Sequence, residues 1–213
     1  MSKISSFEQE NIGGFVHAPA GTSRGGLALT HGAGGNCNAK LLVAVADAFC
    51  QDGWSVLRYN LPFRRQRPFG PPMPKSAAMD QAGVRVAVEK LREIAPAPTV
   101  AAGHSYGGRQ TTMLAANDSA LCDAIVAFSY PLHPPNKPDQ LRTAHFTQLK
   151  IPLLFVHGSS DSFGTVAEMQ SAIAAIPSRT RLMIVDGAGH DLRSGKFDIN
   201  GLVICQLETL LGS

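Results

Sequence analysis

No stretch of this 213-residue sequence approaches the roughly 20 apolar residues that a membrane-spanning helix needs. The opening residues, MSKISSFEQE, lack the apolar core of a secretory signal, so a cytoplasmic location is expected, away from membranes. Cysteine is scarce and scattered: Cys37, Cys50, Cys122 and Cys205 show no CxxC spacing. That excludes the usual signatures of a zinc site and of a disulfide framework and leaves small buried or half-buried thiols. Charged residues amount to 16% and the net charge is only +3, with no helix carrying a massed basic face, so nothing calls for a nucleic-acid partner. Repeats and low-complexity tracts are absent as well. With 44% hydrophobic residues in 22.5 kDa, a single well-buried domain over residues 1–213 is expected.

What is present is an alternation. GLALTHG (26–32) is a continuous apolar strand, followed by a helical period from Asn38 to Gln51 with Leu42, Val45, Ala46 and Phe49 on one face. WSVLRYN (54–60), TVAAG (99–103), AIVAFSY (124–130), PLLFVHG (152–158) and RLMIVDG (181–187) are further strands. Helices are expected from Ser76 to Ala95, after Ser105, from Thr165 to near Pro177, and from Asp198 to Leu211 with Ile199, Val203, Leu207 and Leu210 inward. Thr165 and Glu168 have the spacing of a capping box. Apolar strands alternating with helices imply an α/β fold: a mostly parallel sheet covered on both faces.

Within this pattern, GHSYGG sets Ser105 between Gly103 and Gly107 where a strand turns into a helix. Such a turn crowds its neighbours, and the flanking glycines remove the clashing side chains so that the serine hydroxyl stands free. A hydroxyl is a weak nucleophile and needs a base, and the base needs a group that orients it. His190 follows the last strand and Asp161 the strand before it, giving the chain order Ser, Asp, His. Asp186, four residues before His190, is expected to serve its own turn. The turn THGAGG (30–35) leaves a strand and can aim the Ala33 N–H at the site, with the Tyr106 N–H as the second donor to a developing oxyanion. His31 is expected to fix that turn, and His133 and His145 to be surface or loop-packing residues.

The basic run FRRQRPFGPPMPK (63–75) emerges at the same sheet edge. Arg64, Arg65 and Arg67 either recognise a carboxylate or phosphate, or belong to a solvated, proline-stiffened loop or partner surface.

HGAGG, GHSYGGRQ, YPLHPPNKPDQLR and FVHGSSDSFGT together resemble the α/β-hydrolase superfamily, in particular its small dienelactone-hydrolase-like members. The nearest resemblance is to the branch that includes a testis-expressed protein and a non-specific-lethal complex subunit. Dienelactone hydrolases proper carry cysteine where this chain has Ser105. The resemblance covers residues 14–211 and implies Ser105 as nucleophile, Asp161 as acid and His190 as base, without metal or organic cofactor. It further implies a serine, carboxylesterase-like hydrolase acting on a small-molecule acyl substrate. No helical lid separates AIVAFSY from PLLFVHG, so an open cleft with PLHPPNKPDQ as a partial rim is expected. Two other readings stand beside this one. One is a catalytically silent interaction protein on the same fold. The other is a dinucleotide-binding domain, since GAGGNC resembles half of a GxGxxG turn with Cys37 in place of the third glycine. Natural substrate and oligomeric state are not written in any local motif.

Overall fold

A computed structural model describes residues 2–192 and 199–212. It contains an eight-stranded sheet in the order β1-β2-β4-β3-β5-β6-β7-β8. The strands are β1 (Lys3–Gln9), β2 (Ile12–Ala18), β3 (Gly26–Thr30), β4 (Ser55–Asn60), β5 (Thr99–His104), β6 (Ala124–Phe128), β7 (Leu153–Gly158) and β8 (Thr180–Val185). The six strands from β3 onward pair in parallel, and β2 joins β4 antiparallel with β1 at the edge.

Because side chains alternate across a strand, the sheet divides each apolar run between two cores. Leu27, Leu29, Val100, Ala102, Val126 and Leu154 face helices α1 (Lys40–Gln51) and α6 (Ile204–Leu211). Ala28, Ala101, Ile125, Ala127 and Leu153 face α3 (Ala77–Ile94), α4 (Tyr106–Asn117) and α5 (Val166–Ile173) on the other side. The continuous apolar strands of the sequence therefore mark burial on both faces. The expected inward residues Leu42, Val45, Ala46 and Phe49 of α1 are all buried, as are Val203, Leu207 and Leu210 around α6. The capping box at Thr165 forms as expected, with Thr165 accepting from the Glu168 N–H.

The differences lie at the ends and in one loop. The β1–β2 hairpin does not follow from the apolar pattern: most β1 side chains are exposed at the sheet edge, so its sequence carries no buried face to read. The five-residue helix α2 (Pro62–Gln66) interrupts the basic run. Helix α5 stops at Ile173, short of Pro177. At the C-terminus a π-helical stretch, Ile199–Val203, leads into α6; the expected start at Asp198 and the side chain of Ile199 lie outside the described residues. Cys37, Cys50 and Cys122 are buried, but Cys205 is exposed on α6.

Candidate active site

The carboxyl ends of β3, β5, β7 and β8 converge on one cleft of about 740 Å³, lined among others by Ala33, Ser105, Tyr106 and His190. At the end of β5 the chain reverses into α4 through Ser105, whose φ of +51° and ψ of −113° lie in a region that side chains seldom occupy. The two glycines explain how this turn closes. A Cβ on Gly103 would come within 2.4 Å of the Gly108 nitrogen, and one on Gly107 within 2.6 Å of the His31 carbonyl oxygen. Only main chain fits in those places.

Ser105 Oγ lies 2.8 Å from His190 Nε2, and His190 Nδ1 lies 2.8 and 3.0 Å from the two Asp161 carboxylate oxygens. Asp161 can only accept when ionised, so Nδ1 carries the imidazole proton and Nε2 presents its lone pair to the serine hydroxyl. Asp161 is held by the Phe163 N–H, which donates to Oδ1 at 2.8 Å. The two loops that carry Asp161 and His190 are joined by main-chain bonds from Ser159 N–H to the Val185 carbonyl and from Ser160 N–H to the Ala188 carbonyl. Asp186 serves the turn, as its sequence position suggests: it accepts from Ser159 Oγ at 3.1 Å.

Tyr106 opens α4, so its N–H has no acceptor within the helix ladder and points with the positive end of the helix dipole. Ala33 lines the same cleft, and its N–H has no backbone acceptor among the described residues. His31 fixes this turn from below. The Leu61 N–H donates to Nε2 at 3.1 Å, which leaves Nδ1–H to donate to the Gly32 carbonyl at 2.8 Å. Burial, outweighing that bond, lowers the His31 pKa to about 4, so it stays neutral.

Several contributors are not evident in the sequence. Phe163 stacks on His190, with ring centroids 4.0 Å apart. His104 donates from Nε2 to the His190 carbonyl at 2.9 Å. Asp80, fully buried on α3, accepts from the Tyr106 hydroxyl at 2.7 Å and from the Phe63 N–H at 2.9 Å. Burial pushes its carboxyl above the usual range. Arg109 and Arg142 also line the cleft. Of these, Arg109 was accessible to sequence reasoning: it stands four residues after Ser105, on the same face of α4. The others depend on which elements pack together.

The basic run divides. Arg64 is buried and donates to the carbonyls of Gly35, Arg67, Ala33 and Gly70 at 2.7–3.0 Å. It ties the glycine-rich turn to the segment that leads into the proline wall of the cleft and commits four of its five N–H donors to main chain. Arg65 pairs with Glu8, and Arg67 is exposed, with a long contact to the Pro71 carbonyl. His133 and His145 are loop-packing residues: His133 sits against the Pro134 carbonyl and Glu168, and His145 against Thr112. Pro131, from the expected rim, lines the cleft, and between β6 and β7 the only helical element is the short turn Phe146–Gln148. Among the described residues no helix is long and apolar enough to cross a membrane.

Residues 23–200 match the family model described as an alpha/beta hydrolase domain. Among solved structures, the chain is similar to dienelactone hydrolase from Anabaena variabilis, with 17% identity, coverage of 100% of this chain and 95% of that one, and a TM-score of 0.71. It is similar to Est1E from Butyrivibrio proteoclasticus, with 14% identity, coverage of 98% and 96%, and a TM-score of 0.69. It is also similar to an alpha-beta serine hydrolase homologue from Coxiella burnetii, with 17% identity, coverage of 99% and 96%, and a TM-score of 0.64. These likenesses extend over nearly the whole length of both chains and show a shared fold. The family match, over most of the chain, disposes of the dinucleotide-binding reading: the chain belongs to the α/β hydrolase family.

Proposed function

We propose that the protein is a serine hydrolase that cleaves an ester-type acyl bond of a small or soluble substrate. The observation that carries this reading is the unbroken hydrogen-bonded line from Ser105 Oγ through His190 to Asp161, assembled from three separate strand ends. His190 Nε2 takes the Ser105 proton as Oγ attacks the acyl carbon. The N–H groups of Ala33 and Tyr106 receive the charge that builds on the carbonyl oxygen; losing one such donor commonly costs about 2.7–4 kcal/mol of transition-state stabilisation. Protonated His190 then gives its proton to the leaving oxygen, leaving the acyl group on Ser105. Water, deprotonated by the same imidazole, releases the acid. Asp161 holds the tautomer and stabilises the imidazolium throughout.

The test is labelling with a fluorophosphonate probe, comparing the native chain with Ser105→Ala and followed by a panel of p-nitrophenyl esters. Labelling that disappears in the variant, with turnover of at least one ester, supports the reading. A well-folded native chain that does not label overturns it in favour of an interaction protein on a hydrolase fold.

A further inference from the structure

The cleft that holds Ser105 is lined by two guanidiniums and, among the described residues, by no carboxylate. Arg109 lies on α4, one helical turn, or about 5.4 Å along the axis, beyond Ser105. Arg142 reaches the same cleft from the segment between β6 and β7. That segment is pinned: the Arg142 N–H donates to the Leu132 carbonyl at 2.8 Å, and the buried Tyr130 hydroxyl donates to the Arg142 carbonyl at 2.7 Å. Arg142 is thus held in the cleft by its own main chain.

Neither guanidinium forms an ion pair among the described residues, whereas Arg24, Arg65 and Arg85 each pair with a carboxylate; Arg142 Nη1 makes one long contact, to the Pro131 carbonyl at 3.4 Å. Arg109 Nε is buried without a hydrogen-bond partner. Beside it, Gln110 is fully buried and lines the cleft; its Oε1 accepts from Gln81, while its Nε2 has no partner. Buried donors without acceptors carry a desolvation cost, and here they cluster on one wall of an active-site cleft. Arg109 also burdens Arg142: burial first, then the charge of Arg109, pulls the Arg142 pKa below its ordinary value. His145, held neutral with a pKa of about 4 by burial and by Arg109, provides no compensating charge. All of these costs are relieved by an anion.

We infer that the substrate carries a carboxylate in addition to its scissile ester, and that Arg109, Arg142 and the Gln110 amide hold it. This rests on the serine-hydrolase reading above. A carboxylate offers two oxygens with about four acceptor sites, which suits two planar guanidinium forks and one amide donor. The cleft is also lined by Pro71 to Pro74, apolar apart from main chain, which suits the hydrocarbon between the two functional groups. Substrate is therefore anchored at one end by charge while its carbonyl reaches Ser105 about one helical turn away.

The experiment uses matched pairs that differ only in the second charge. One pair is monoethyl and diethyl glutarate, which place the carboxylate on the acyl side. The other is 4-acetoxybenzoate and its methyl ester, which place it on the leaving group. The quantity read is the kcat/KM ratio, charged over neutral, by acid release in a pH-stat. For one of the two pairs the native enzyme should favour the charged ester by about tenfold or more, a preference that charge-assisted hydrogen bonds of this kind support and that shrinks as salt is added. Arg142→Gln should bring that ratio to near one, and Arg142→Lys to an intermediate value, since an ammonium keeps the charge but not the fork. Which pair responds assigns the side of the ester that bears the anion.

A native ratio near one for both pairs, with Ser105 still labelled by the fluorophosphonate, overturns the carboxylate site and leaves the serine-hydrolase reading standing. Absence of labelling overturns the hydrolase reading instead, and the site is then judged by calorimetric binding of glutarate to the native chain and to Arg142→Gln. Binding lost in the variant supports the anion site; no binding to the native chain overturns it. Should Arg142→Gln fail to fold, the native ratio and its salt dependence decide alone.

Discussion

The Phe163 ring lies against the His190 imidazole at a centroid distance of 4.0 Å and an angle of 27°, while the Phe163 N–H donates to the carboxylate that orients the same imidazole. One residue thus sets both the plane of the imidazole and the position of the carboxylate bonded to it. The stack limits rotation of His190 about the bond that aims Nε2 at Ser105.

Replacing Phe163 with alanine leaves the N–H to Asp161 in place and removes only the stack. The rate of fluorophosphonate labelling at Ser105 should fall by about tenfold to a hundredfold, the cost typical of small displacements of a reacting group. The thermal midpoint should move little, because the lost contact is at the edge of the cleft. An unchanged labelling rate in a folded variant would show that the ring does not govern the imidazole.

Arg64 makes a second prediction because its four carbonyl acceptors include Ala33 and Gly35 on the glycine-rich turn. A lysine in its place has a point charge and cannot span the same set. In Arg64→Lys the turn relaxes and the Ala33 N–H moves off line, so kcat should drop by roughly tenfold to a hundredfold with KM nearly constant, the pattern of a donor that acts in the transition state. A rise in KM with kcat intact would instead make Arg64 a substrate-binding residue.

His31 links the turn to pH. Its folded pKa, about 4, lies below the ordinary imidazole value, chiefly through burial, with the charges of Arg64 and His104 adding to it. As pH falls below about 6.5 the unfolded chain takes up a proton that the folded chain refuses until about pH 4. The stability tied to neutral His31 is therefore complete above pH 6.5 and is lost between there and pH 4. It amounts to about 2 kcal/mol at pH 5 relative to neutral pH. Urea titrations at pH 7.5 and 5 should show the loss, and His31→Gln, which keeps an acceptor for the Leu61 N–H, should lose less between the same two points. Equal losses in both proteins would remove His31 from the account.

The parallel core was legible because β3, β5, β6 and β7 are buried on both faces and write themselves as unbroken apolar runs. Ser105, Asp161 and His190 were legible for a related reason: each follows such a run, and the carboxyl edge of a parallel sheet is where side chains from distant positions meet. β1 was not legible, since an edge strand with solvent-facing side chains imposes no pattern on its residues. The basic run could be read as a recognition loop because sequence gives the charge of Arg64 but not the four carbonyls that surround it. Asp80 was hidden in the same way: an acidic residue in a helix reads as surface, and only the docking of α3 against the elbow brings it to Tyr106. Arg142 lies in a segment without period, so its approach to Arg109 is a property of the fold alone.

The turns bearing Ser105, Ala33, Asp161 and His190 touch one another through main chain: Gly103 against Gly108, Gly107 against the His31 carbonyl, Ser160 N–H against the Ala188 carbonyl. The walls that would contact substrate, by contrast, are side chains of Pro71, Met73, Arg142 and their neighbours. Chemistry and selectivity therefore reside in different materials. On the proposed reading, substitution around the rim can retune which substrate is accepted without disturbing the frame beneath it. The frame itself tolerates almost no change at Gly103, Gly107 and Gly158, where a Cβ would meet main chain, so diversification of such a protein would proceed from the mouth of the cleft inward and stop at the backbone.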